Sequence, residues 1–69
     1  MSEEDILNAT TNFLYDGSMD NDENKRLLLG FDTRCNLIEV MYEVIDEARI
    51  NIFHAMKARK ALVEMVLKR

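Results

Sequence analysis

The sequence predicts a small α+β domain: an N-terminal helix, a three-stranded antiparallel meander and a C-terminal helix, in a two-layer sandwich. Three observations predict it. Apolar residues fall at helical spacing after an acidic start, three stretches alternate in polarity and are rich in β-branched residues, and helical spacing returns from Ala55. Sixty-nine residues allow one domain, 1–69.

Ser2-Glu3-Glu4-Asp5 sets a hydroxyl three residues before a carboxylate, a variant of the capping box. Ile6, Leu7, Thr10, Phe13 and Leu14 then share one face of a helix expected over roughly residues 3–13. Early carboxylates suit the positive end of its dipole. Residues 15–24 are rich in Asp, Asn, Gly and Ser and read as a loop. Its acids lack the ligand order of an EF-hand, so no metal is expected.

Strands are expected from Lys25 to Asp32, Leu37 to Ile45 and Ile50 to His54. Thr33-Arg34-Cys35-Asn36 and Asp46-Glu47-Ala48-Arg49 are short enough to close hairpins. One sheet face should bury Ile38, Val40, Tyr42, Val44, Ile50 and Ile52 under both helices, with His54 continuing that face. The other face should show Leu28, Leu37, Met41 and Phe53, with Glu39 and Glu43 solvating it. Gly30, inside a strand, marks a bulge or close packing. Ala55 to Arg69 reads as the second helix, with apolar residues at Ala55, Ala58, Leu62, Met65 and Val66.

Net charge is −4, yet the charges are segregated. Residues 1–24 hold seven acids and no base, whereas residues 49–69 hold six bases and one acid. Such a split either balances two solvated faces or hides a local basic surface beneath an acidic average. The single Cys35 excludes an intrachain disulfide, and with His54 the only histidine no Cys/His metal cluster can form. The acidic start is unlike a signal peptide, and no apolar run nears the roughly 20 residues needed to span a bilayer. A cytoplasmic protein with no membrane attachment and no cofactor is expected.

No hydrolase triad or glycine-rich phosphate loop is present. Glu39 and Glu43 would stand roughly 13 Å apart on a strand, too far for paired carboxylate chemistry. The informative stretch is Ile52-Phe53-His54-Ala55-Met56-Lys57-Ala58-Arg59-Lys60. It brings one imidazole, which can carry protons near neutral pH, close to cations that can hold phosphate. The plainer alternatives are a structural histidine and a surface arginine whose stem covers the sheet edge.

Three pieces, Leu29-Gly30-Phe31-Asp32, Asn36-Leu37-Ile38-Glu39-Val40 and Ile52-Phe53-His54-Ala55-Met56-Lys57-Ala58-Arg59, follow one another in an order that resembles the BrnT-like toxin family. The resemblance covers roughly residues 3–68 and is most distinctive in the His-Ala-x-x-Ala-Arg stretch at 54–59. Family members carry a further N-terminal element ahead of the part matching Ser2-Glu3-Glu4, so the match is to a shortened member. The resemblance implies a RelE-like fold and the toxin component of a type II toxin–antitoxin pair. Such toxins are metal-independent RNA endonucleases that inhibit translation and are neutralised by a cognate antitoxin protein. It would make His54 and Arg59 catalytic, with Arg49, Lys57 and Lys60 contacting RNA. The alternative is a non-catalytic protein-interaction module, a degenerate relative or a small domain that dimerises through its open sheet face.

Overall fold

The computed structural model describes residues 1–19 and 21–68. In chain order the elements are α1 (Glu3–Thr11), β1 (Phe13–Met19), β2 (Asp22–Phe31), β3 (Leu37–Asp46), β4 (Arg49–Lys57) and α2 (Lys60–Leu67). The four strands form one antiparallel meander in sequence order, β1-β2-β3-β4. The α+β class and the flanking helices agree with the sequence expectation. The sheet has four strands, not three.

The extra strand lies where a loop was expected. The helix ends at Thr11 because Asn12 leaves helical geometry and its carbonyl accepts from the Phe31 N–H at 2.9 Å. That bond sets the following residues alongside β2, so Phe13 and Leu14 belong to a strand and are exposed rather than part of a helix face. Asp16, Gly17 and Ser18 are poor strand formers, and pairing with β2 overrides their local preference. Tyr15 lies over Gly17 on the same face, filling the space a side chain would take there. Just ahead of β2, Asn21 is left-handed at φ 57°, a region asparagine tolerates. Asp20, counted among the acids of the expected loop, lies outside the described residues, as does Arg69.

Ser2 caps α1 as expected: its Oγ accepts from the Asp5 N–H and donates to the Asp5 carboxylate at 2.8 Å. The inward face of α1 is not the one expected. Ala9 is buried and Ile6 packs beside it, while Leu7 and Thr10 face solvent. Polar bonds fasten the helix to the β2–β3 turn. Asn8 Nδ2 donates to the Phe31 and Asp32 carbonyls at 2.8 and 3.0 Å, and Asp5 Oδ1 accepts from the backbone and hydroxyl of Thr33. Gly30 makes this approach possible, because a Cβ there would collide with the backbone of Ala9. Close packing is thus the reason for that glycine.

The core on this face joins Ala9 to Leu28, Ile38 and Val40, with Ile6, Tyr42 and Ala55 against it. Leu28 therefore belongs to the core and not to the opposite face. Ile50 and Ile52 stay largely exposed, because a nine-residue helix does not reach the far end of the sheet. Helix α2 adds no residue to this core and buries none of its own. It is also shorter than expected, since Ala55, Met56 and Lys57 remain in β4.

Two register shifts mark β4. Ile52 pairs with Tyr42 and His54 with Met41, so Phe53 is an extra residue, a β-bulge. Alternation changes phase there. Ile50 and Ile52 keep the face of Tyr42 and α1, while His54 and Met56 share the opposite face with Met41 and Glu39. His54 thus does not continue the face of Ile50 and Ile52.

Candidate functional site

On the face opposite α1, the sheet buries a carboxylate. Glu39 was expected to solvate an open face, and instead it is 0% exposed, opposite Leu29 on β2 and Met56 on β4. A buried carboxylate is tolerated only when hydrogen-bonded and paired. Glu39 has four bonds to Arg59 and one to His54. Its Oε1 accepts from the Arg59 backbone N–H at 2.9 Å and from Arg59 Nε at 3.0 Å. Its Oε2 accepts from Arg59 Nε at 3.1 Å, from Nη2 at 2.8 Å and from His54 Nε2 at 2.9 Å.

Burial by itself would raise the Glu39 pKa, but the bonds from Arg59 and His54 outweigh it and the carboxyl is held below its ordinary value. The same contact pushes the Arg59 guanidinium up. An ionised carboxylate only accepts, so His54 carries its proton on Nε2 and Nδ1 is left with no bonded partner among the described residues. The His54 side chain is 31% exposed and that of Arg59 53%. Arg59 uses Nε and one terminal nitrogen on Glu39, and its second terminal nitrogen has no bonded partner among the described residues. Glu39 therefore orients an imidazole and a guanidinium side by side, each with one nitrogen available.

Local structure explains the convergence. The bulge at Phe53 turns His54 toward Glu39, and the chain leaves β4 with Ala58 N–H donating to the Leu37 carbonyl at 3.0 Å. Arg59 then stands as the N-cap of α2, where its extended backbone aims N–H and side chain at the same carboxylate.

The three other expected RNA-contacting cations are not bonded into this cluster. Arg49 pairs with Asp46 at 2.7 Å at the β3–β4 turn. Lys57 stands opposite Ile38 and so lies on the α1 face, at the end of a strand rather than in a helix start. Lys60 opens α2 next to Arg59 and approaches Glu64 at 3.9 Å.

A second polar cluster crosses three strands on the α1 face. Asp16 accepts from Arg26 Nε at 3.1 Å and from the Tyr42 hydroxyl at 2.9 Å. Burial and the neighbouring Asp16 raise the Tyr42 pKa, and Asp16 likewise raises that of Arg26. Sequence reading missed it because Asp16 was assigned to a loop. Glu39 was missed because one acid in an alternating strand reads as solvent-facing. The signal that could have found it was the nearby pair His54 and Arg59, which both want a carboxylate. Among the described residues no group of three or more metal-ligating side chains occurs, and no pocket is found. Compared with known proteins, the chain matches no family model, no curated protein and no solved structure.

Proposed function

We propose that the protein is an RNA-cleaving toxin of the BrnT-like, RelE-like kind, acting without a metal. One observation carries this reading. His54 and Arg59, the two residues the resemblance makes catalytic, meet on a single buried carboxylate. A carboxylate that fixes one imidazole nitrogen and leaves the other without a bonded partner among the described residues is a general acid–base arrangement. In this role Nδ1 of His54 takes the proton of a ribose 2′-hydroxyl as it attacks the adjoining phosphate. The open terminal nitrogen of Arg59 stabilises charge on the phosphate oxygens, and the leaving 5′-oxygen takes a proton from solvent. Lys60, next to Arg59 at the start of α2, and Arg49 at the β3–β4 turn would hold more distant phosphates, whereas Lys57 lies on the α1 face, away from His54. A cytoplasmic location and a cognate antitoxin partner go with this reading. No helix among the described residues is long and apolar enough to cross a membrane.

The test is to induce the protein in a bacterial host lacking its antitoxin, and to follow growth and transcript ends together. Arrest with new RNA ends is the expected result, lost in His54→Asn while its circular dichroism stays native. Uncut transcripts from abundant folded protein overturn the reading.

A second reading is a non-catalytic interaction module. It is favoured by an accessible surface of 4967 Å², above the roughly 4,500 Å² usual for a monomer of this size. Exposed Ile50, Ile52, Phe53 and Met56 contribute apolar area to that surface. Native growth on induction, with a stable complex formed with the product of the adjoining reading frame, supports this module instead.

A further inference from the structure

The two helices are held to the sheet in different ways. Helix α1 buries Ala9 against Gly30, and its Asp5 and Asn8 bond to Phe31, Asp32 and Thr33. Helix α2 buries none of its residues: Leu62, Val63 and Val66 are half-buried, while Met65 and Leu67 are exposed. Among the described residues, the hydrogen bonds that tie the chain after β4 to the sheet come from Ala58, to the Leu37 carbonyl, and from Arg59, to Glu39.

Local structure adds little to that attachment. Eight residues are fewer than a helix needs to persist by itself in water. The N-cap residue, Arg59, makes no side-chain cap bond, and Arg59 and Lys60 set positive charge at the positive end of the helix dipole. The Glu39–Arg59 pair is also releasable. Once Arg59 leaves, the buried carboxylate regains water, and the recovered hydration offsets part of the lost pairing.

We propose that residues 59–68 form a strap that undocks from the folded sheet as one unit, hinged after Ala58 and latched by Glu39. Elements with few buried apolar groups are the ones that open below the cost of global unfolding. His54 belongs to β4 and stays beside Glu39 on the sheet when the strap leaves. Undocking therefore withdraws the cation from the candidate site and leaves the imidazole. The site is complete only with the strap docked, so the docking equilibrium regulates it. That consequence rests on the RNA-cleaving reading, whereas the undocking itself does not.

The test is native-state hydrogen exchange on the ¹⁵N-labelled full-length protein, in urea concentrations below the unfolding transition. The amides of Arg59, Val63 and Val66 should share one opening with weak urea dependence. After correction for intrinsic rates they should exchange roughly a hundredfold faster than those of Leu28 and Val40 in the central strands. Glu39→Gln should speed the three strap amides roughly thirtyfold. Asp5→Asn, which loosens α1 on the other face, should speed the strand amides and leave the three unchanged. Strap amides that match the strands in rate and urea dependence would overturn the proposal. So would an Arg59 amide as protected as the strands beside fast Val63 and Val66, since that is fraying of the helix and not release of the latch. An equal response of all five amides to Asp5→Asn would overturn it too. Exchange reads the strap, and growth with RNA ends reads cleavage, so either proposal can fail without the other.

Discussion

Arg59 grips Glu39 with its backbone and its side chain at once: the N–H reaches Oε1 at 2.9 Å and Nη2 reaches Oε2 at 2.8 Å. The buried acid thereby fixes where β4 ends and α2 begins. Removing the charge should loosen that junction. Glu39→Gln is expected to destabilise the fold by about 2 kcal/mol, below the usual range for breaking buried ion pairs because Arg59 reaches water. A lowered urea midpoint with an unchanged slope is the result to look for. An unchanged midpoint would mean the contact contributes nothing.

Acid should weaken the fold in a defined window. Asp5 is held at about 2, against an ordinary 3.8, chiefly by the Thr33 hydroxyl and backbone, and Glu39 is also held below its ordinary value. Both groups take up protons more readily when unfolded, so stability rises with pH across their titration. Their contribution is complete above about pH 5 and is lost as pH falls toward 2. Urea unfolding followed from pH 2 to 6 should show this slope, and Asp5→Asn should reduce it. A flat profile in that range would contradict the assignment.

The two glycines should respond differently. A Cβ at Gly30 meets the backbone of Ala9, which cannot move without shifting α1. Gly30→Ala should therefore cost about 2–3 kcal/mol as overpacking. At Gly17 the obstacle is the end of the Tyr15 side chain and not backbone. Gly17→Ala should cost less, about 1 kcal/mol. Thermal melts of the pair test the contrast, and equal losses would show that α1 is not held by this contact.

Cys35 is left-handed, with φ 65°, in the turn closed by Cys35 N–H donating to the Asp32 carbonyl. Glycine adopts that conformation without steric cost. Cys35→Gly should raise stability by up to about 1 kcal/mol, less the added freedom of the unfolded chain. A urea midpoint that falls would show that the thiol packs more usefully than its exposure suggests.

Much of the fold was legible because alternation and helical spacing are strong signals. The strand around Leu37–Asp46 and the Ser2 cap followed from them directly. Strand β1 was not legible, since Asp16, Gly17 and Ser18 imitate a turn and become a strand only through pairing with β2. The site was half legible. His54 and Arg59 stood out as chemistry-bearing residues, but Glu39 looked like one solvating acid among several. Its role depends on which face His54 takes, and local pattern assigned that face in the wrong phase.

That phase change gives β4 two reading frames. Residues 49–52 point by one parity and residues 54–57 by the other, with Phe53 as the inserted letter. Deleting Phe53 would make the strand continuous while leaving Ile52 against Tyr42 and His54 against Met41. A relative one residue shorter here would therefore keep the same carboxylate, imidazole and guanidinium together. Any search for such relatives has to allow a single-residue gap between Ile52 and His54, or the shared site will be read onto the wrong face.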